Sequence, residues 1–162
     1  MTQLIYLVPL FPLIGWLVIG LFGKKMTKGL AGLIGCGTVL AAFIVSVGIF
    51  FDVMNAHGEG TTVKLFDWIN AGSFSAAFSF LVDPLSSLFL LIITGVGFLI
   101  HVYSTAYMKE DEGFARFFAY LNLFVFFMLL LVLGDNYLIM FVGWEGVGLC
   151  SYLLIGDRKS VV

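Results

Sequence analysis

The stretch "LIMFVGWEGVGLCSYLLIG" (138–156) holds nineteen residues, of which eighteen are uncharged and most are apolar. The exception is Glu145, near the middle, with Gly143, Gly146 and Gly148 beside it. A run of about 20 apolar residues, wound as a helix, crosses the roughly 30 Å hydrocarbon layer of a bilayer. The same signature recurs along the chain, which has 162 residues, is 61% hydrophobic and only 11% charged, and has a mean hydropathy of +1.10. Soluble domains carry about 25% charged residues, so the solvent for most of this chain is lipid.

Five segments are long and apolar enough to span: about 4–22, 29–51, 83–106, 114–133 and 136–156. The first is too long for a signal-peptide core, lacks a basic leader and is followed by lysines, so it reads as an uncleaved span. "GDN" (134–136) makes the tight turn between the last two. The expected fold is an all-α membrane protein, a single transmembrane domain over 1–162.

The exception to helix lies in the connection between spans two and three. "TTVKLFDWI" (61–69) and "FSAAFSFLV" (74–82) carry β-branched, aromatic and alternating residues, with "NAGS" (70–73) as turn chemistry. This reads as a small β-hairpin over 61–82 with a four-residue loop, needing cover from the rest of the protein. "VDPLSS" (82–87) then opens span three. Asp83 suits an N-cap and Pro84 the first helical position, with a place in a proton path as the alternative for Asp83.

Basic residues set the expected orientation. Lys24, Lys25, Lys28, Lys109, Arg116, Arg158 and Lys159 fall in connections on one side, and Lys64 alone on the other. The seven-residue side is expected to be cytoplasmic, with the N-terminus outside, as in a multi-pass protein of a bacterial inner (plasma) membrane. In a mitochondrial inner membrane that side would be the matrix. The composition offers no basic surface for nucleic acid, and Cys36 and Cys150 read as reduced thiols in separate spans. No metal-ligand spacing, phosphate-cradling loop, haem motif or flavin motif is present.

Glu145 lies nine residues after Asn136 and eleven before Gly156, roughly 14 Å and 16 Å along a helix and thus near the bilayer midplane. Low dielectric disfavours the charged form of an acid there, so a carboxyl that gains and loses a proton is chemically suited to passing protons on. Gly148, Leu149 and Tyr152 share its face, and the missing side chains at Gly143 and Gly146 leave room for a helix or a file of waters. The plainer alternative is an acid that fastens two helices by a hydrogen bond. No lysine or arginine lies at membrane depth in any span, so a cationic partner must come from elsewhere. His101 lies past the middle of span three; an unperturbed histidine has a pKa of about 6.5, which suits a proton relay, and an interfacial histidine bonded to a backbone carbonyl is the alternative. Asn122, Tyr120 and Thr94 could continue a wet path or could simply join helices. Trp16 and Trp144 read as packing residues, and Trp68 belongs to the hairpin.

The motifs "GWEGVGLCSYLLIG" (143–156), "FLIHVYSTAYM" (98–108), "EGFARFFAYLNLF" (112–124), "DNYLIMFVGWEG" (135–146) and "VDPLS" (82–86) resemble, in order and spacing, the large antiporter-like subunit of respiratory complex I, the NADH:quinone oxidoreductase. The resemblance covers nearly the whole chain and is most specific over about 80–156. Related subunits of multisubunit sodium/proton antiporters share the glutamate but differ after the Trp-Glu pair. The resemblance implies a proton-translocating membrane-arm subunit (subunit L, or chain 5 in mitochondria), with Glu145 opposite a lysine of a later helix. It implies other membrane-arm subunits as partners, and NADH, FMN, iron–sulfur clusters and quinone bound by other subunits, with no redox site in this chain. The family subunit is several times longer, and "DRKSVV" (157–162) departs from its continuation. The chain is therefore expected to be an N-terminal fragment, inactive alone; a non-catalytic membrane assembly fragment is the alternative from another class.

The orientation has a direct test. With Cys36 and Cys150 replaced, a membrane-impermeant maleimide applied to intact cells is expected to modify Gly60→Cys and to spare Lys25→Cys until the cells are permeabilised. The opposite pattern would invert the topology.

Overall fold

The computed structural model describes residues 2–56, 59–72 and 74–156. Five helices form: α1 (Leu7–Phe22), α2 (Lys28–Asn55), α3 (Pro84–Tyr107), α4 (Phe114–Leu133) and α5 (Tyr137–Gly156). Each is long and apolar enough to cross a membrane, α1 together with the 3-10 turn that follows it, and the chain is a multi-pass membrane protein. Arg158, Lys159 and the departing 157–162 segment lie outside the described residues.

The boundaries differ from expectation where local chemistry dictates it. Residues Thr2–Leu4 form a separate 3-10 turn, and α1 starts at Leu7 rather than near Leu4. The later start puts Pro9 in the first turn, where a missing N–H costs nothing, although Pro12 remains inside the helix. α2 passes its expected end at Phe51 and runs to Asn55, and the N–H of Ala56 closes on the carbonyl of Asp52. Its 28 residues span about 42 Å, so its ends reach beyond the hydrocarbon layer, where Asp52 is tolerated.

The hairpin consists of β1 (Thr61–Ala71) and β2 (Phe74–Val82), paired antiparallel. Its loop is shorter than the expected four residues. Asn70 and Ala71 pair with Ser75 and Phe74, and Gly72 turns the chain at φ +61°, a left-handed conformation that favours glycine. Ser73 lies outside the described residues. Register shifts at Leu65 and Trp68 let eleven residues of β1 face nine of β2.

The cover that the hairpin was expected to need reaches β2, whereas Leu65, Phe66, Trp68 and Ile69 of β1 remain exposed. Phe80 and Val82 are buried in a cluster with Ile5, Val8, Ile49 and Leu133, while Phe78 stacks on Phe66 with ring centres 5.1 Å apart. A second layer of contact is polar. Ser79, which is buried, donates from Oγ to Asp135 Oδ2 (2.9 Å). Asn136 Nδ2 donates to the Ala77 carbonyl (2.9 Å). Asn136 Oδ1 also accepts from the N–H groups of Leu138 and Ile139 (3.1 Å each), capping α5.

Asp83 caps α3 in a reciprocal box: its carboxylate accepts from the Ser86 N–H (2.6 Å) and Ser86 Oγ accepts from the Asp83 N–H (2.9 Å). Capping is thus the role its contacts give it. At the opposite end Lys28 Nζ donates to the Lys109 carbonyl (3.1 Å), bringing the α1–α2 and α3–α4 connections together. Lys24, Lys25, Lys28, Lys109 and Arg116 therefore share one end of the bundle, and Lys64 sits in the hairpin at the other.

α4 is the hub, packing against α1, α2, α3 and α5. The core forms two apolar clusters along it. One, at the hairpin end, includes Val8, Ala42, Leu90, Val125 and Leu129; the other, at the basic end, includes Ile19, Ala31, Met108, Phe114 and Phe118. Between these levels lie Gly15, Thr38, His101 and Asn122.

Asn136 joins a helix start to a strand, so its loss should loosen both. Asn136→Ala is expected to cost about 1–2 kcal/mol in unfolding experiments in micelles and to speed amide exchange in β2. Asn136→Asp, which keeps the cap acceptor but not the donor to Ala77, should lose less stability while still freeing β2.

Candidate functional site

The polar layer between the two clusters is built first by small residues. A Cβ added at Gly15 would lie 2.6 Å from Thr38 Oγ1 and 2.7 Å from Asn122 Oδ1, and one at Gly35 would lie 2.7 Å from the Phe118 ring. Without those atoms α1, α2 and α4 meet, and Thr38 Oγ1 donates to Asn122 Oδ1 at 2.9 Å. Asn122 Nδ2 in turn donates to the Phe118 carbonyl (3.0 Å). Fully buried Asn122 thus fastens α4 to α2, the helix-joining alternative of its two sequence readings. Thr94 donates to the Leu90 carbonyl of its own helix (2.6 Å), and Tyr120 is half-buried in the groove between α1 and α4. The sequence reading missed Thr38. Its signal was available: a hydroxyl flanked by Gly35 and Gly37 in the middle of an apolar span.

His101 adjoins this layer from α3 and is fully buried. Its Nδ1 donates to the Gly97 carbonyl (2.7 Å), since a carbonyl only accepts. That bond puts the proton on Nδ1 in the neutral ring and leaves Nε2 as an acceptor with no partner among the described residues. The ring meets Phe118 edge-on, with centres 6.0 Å apart. His101 and Gly97 also line a cavity of about 200 Å³ between α3 and α4, shared with Leu121, Val125 and Met128. The bond to a backbone carbonyl is thus present, and the ring is buried among the helices.

Glu145 stands apart from this layer. α5 packs on α4 through Ile139, Gly143, Gly146 and Cys150, a stripe repeating at four, three and four residues. The glycines are the points of closest approach. A Cβ at Gly143 would meet the Leu131 backbone nitrogen at 2.6 Å, and one at Gly146 would overlap the Phe127 ring. The space they leave is therefore filled by α4, on the face turned away from Glu145. Glu145 shares an uncovered face with Phe141, Gly148, Leu149 and Tyr152, all exposed. Trp144, read as packing, is 69% exposed on the same side. Among the described residues nothing bonds Glu145, and no lysine or arginine faces it. α3 and α5 both pack on α4 rather than on each other, so the chain does not bring His101 and Glu145 together. Cys36 and Cys150 are free, on α2 and α5.

Comparison with known proteins agrees with this architecture. Residues 68–118 match the family described as NADH-Ubiquinone oxidoreductase (complex I), chain 5 N-terminus. NADH-quinone oxidoreductase subunit L of Escherichia coli is 45% identical over 148 residues, 91% of this chain and 24% of that protein. Subunit L of Pseudomonas aeruginosa is 46% identical over 153 residues, 93% of this chain and 25% of that protein. The chain spans about a quarter of the length of these relatives. Among solved structures, a chain of the membrane-bound sulfane sulfur reductase, an archaeal respiratory membrane complex, superposes with TM-score 0.76 at 16% identity, over 93% of this chain and 30% of that one. A chain of the Mrp complex from Dietzia sp. superposes with TM-score 0.73 at 26% identity, over 93% of this chain and 16% of that one.

The α4–α5 contact separates tolerated glycine positions from intolerant ones. Gly146→Leu and Gly143→Val are expected to destabilise the bundle by about 1–3 kcal/mol or to split α5 from α4. Gly148→Ala, with open space around it, should leave thermal unfolding in detergent unchanged. Equal effects at all three positions would contradict the packing described.

Proposed function

Because the chain belongs to the subunit L/chain 5 family, we propose that it forms the N-terminal part of a proton-translocating membrane-arm subunit of an NADH:quinone oxidoreductase, with Glu145 as a proton-carrying group. The redox chemistry then occurs in other subunits, and this chain's part is to move charge across the bilayer. The observation that carries the reading is the placement of Glu145. It lies eight residues into the 20-residue α5, about 12 Å along the helix, on a face that no other described element covers.

A carboxyl at that depth has two stable conditions: neutral, or ionised against a cation. Moving a cation toward or away from it exchanges these conditions, and that exchange is a proton uptake or release step. Among the described residues no lysine or arginine faces it, so in this reading the step uses a cation supplied by another element. The family resemblance assigns that part to a lysine on a later helix. His101, with Nε2 free to accept a proton and a cavity beside it, is a second candidate relay group. The N-terminus outside and the basic end in the cytoplasm complete the proposed arrangement.

A second reading places the same acid in a subunit of a multisubunit sodium/proton antiporter; the superposition on the Mrp complex is compatible with that fold. Sodium-dependent proton exchange in membranes lacking NADH dehydrogenase activity would favour it.

The test is made in the assembled complex, at the position aligned with Glu145. Glu145→Gln keeps a neutral hydrogen-bonding group but cannot titrate; it is expected to lower proton pumping at least about tenfold per NADH oxidised, within the range typical of lost proton-transfer groups. Glu145→Asp should retain part of the activity. Full pumping by the Gln variant would leave the acid only a helix-fastening role.

A further inference from the structure

At the basic end of the bundle a trough of about 670 Å³ opens between α2 and α3, beside the Lys28–Lys109 contact. Lys28 is the first residue of α2, and Lys109 follows the end of α3, so both lie at the trough's outer end. Lys28 is held there by its bond to the Lys109 carbonyl. From Lys28 the trough runs down α2 past Gly29, Gly32 and Leu33 to Cys36, a depth of about 12 Å. Val102 and Phe114 are its opposite apolar wall. Two glycines three residues apart hollow the α2 side. Open space surrounds Gly29, and a Cβ at Gly32 would come within 3.3 Å of the Phe114 ring. Among the described residues no carboxylate lines the trough.

Two cations at the headgroup level above an apolar channel at acyl-chain depth match an amphiphile with an anionic head. We propose that this trough is a binding site for an anionic phospholipid, its phosphate between Lys28 and Lys109 and one acyl chain lying over Gly29 and Gly32. The α2 length supports the depth assignment: a helix of about 42 Å places its first residue outside the roughly 30 Å hydrocarbon layer. Juxtamembrane lysines attract anionic lipid by about fivefold each, so the pair gives a selective site rather than an ordinary annular contact. The proposal is independent of the proton-carrying role of Glu145, which lies on another helix.

Native mass spectrometry of the detergent-purified 162-residue chain tests it, with phosphatidylglycerol and phosphatidylcholine of the same acyl chains as probes. One phosphatidylglycerol should be retained with a preference of roughly tenfold or more over phosphatidylcholine. The Lys28→Gln/Lys109→Gln variant should lose the preference, Lys28→Arg/Lys109→Arg should keep it, and Lys25→Gln, at the same end but outside the trough, should leave it unchanged. Gly29→Leu, whose Cβ meets nothing within 4 Å and whose side chain enters the trough, should expel the lipid while circular dichroism stays that of the parent. Equal retention of the two lipids, or a preference surviving the double Gln variant, overturns the proposal. So does displacement of the lipid by millimolar inorganic phosphate, which would mark a simple anion site. A dimer mass abolished by Gly29→Leu would give the trough to a second copy of the chain and would also overturn it.

Discussion

The hydrogen bond from Thr38 to Asn122 exists only because three helices come close enough to make it. Lipid tails are as apolar as leucine, so burying apolar side chains between helices gains little inside a bilayer. Association depends on close packing and on polar pairs that would otherwise face hydrocarbon. Gly15 and Gly35 allow the approach, and Asn122 uses it. The amide satisfies one group on α2 and one on its own helix, so the layer that divides the two apolar clusters carries no unpaired amide. The registers of α1, α2 and α4 are tied to that level, since a shift by one residue would turn a glycine away from the junction.

α4 passes the constraint on to the rest of the chain. Its other side receives α5 through Gly143 and Gly146, where Leu131 and Phe127 occupy the space that side chains would take. Its end, through Gly134 to Asn136, is clasped by β2, so the hairpin sets where α5 begins. The position of Glu145 therefore follows from two contacts that do not involve it: a cap at the start of its helix and a glycine stripe on the opposite face.

Much of this was readable from residue order. The five spans follow from hydropathy because in lipid only helices and closed barrels satisfy the backbone. The Asp83–Ser86 capping box and the existence of the hairpin follow from local chemistry. Errors arose where local signals compete. "NAGS" suggested a four-residue loop, but Asn70 and Ala71 continue the ladder, with Gly72 in the turn at positive φ. The expected span ended at Phe51, just before the charge of Asp52, but a charge near a helix end does not interrupt the backbone ladder, which runs on to Asn55. At the site, the place of Glu145 in the middle part of its helix was legible, whereas the direction its glycines face was not. Sequence neighbours of an acid are 100° or 200° around the helix from it, and only the partner helix shows which of them is buried. Thr38 escaped notice because its meaning depends on Asn122, 84 residues away.

The contrast between Asn122 and Glu145 bears on what an acid contributes. Holding helices together needs a donor or acceptor, and this chain does it with neutral groups: an amide, a hydroxyl and backbone carbonyls. A charged carboxylate at the midplane of a membrane costs about 2.5–3.5 kcal/mol on insertion scales, against about 0.6 kcal/mol on average gained from an interhelical hydrogen bond. An acid is thus a poor choice for fastening where an amide would serve. Glu145 also sits on the face of α5 that fastens nothing within the chain, while the face that does the fastening carries glycines and no polar side chain. What a carboxyl has and an amide lacks is the ability to lose and regain a proton. The separation of the packing face from the titratable face on one helix is what a mobile proton would require, because a change of charge on one face then leaves the contact on the other intact.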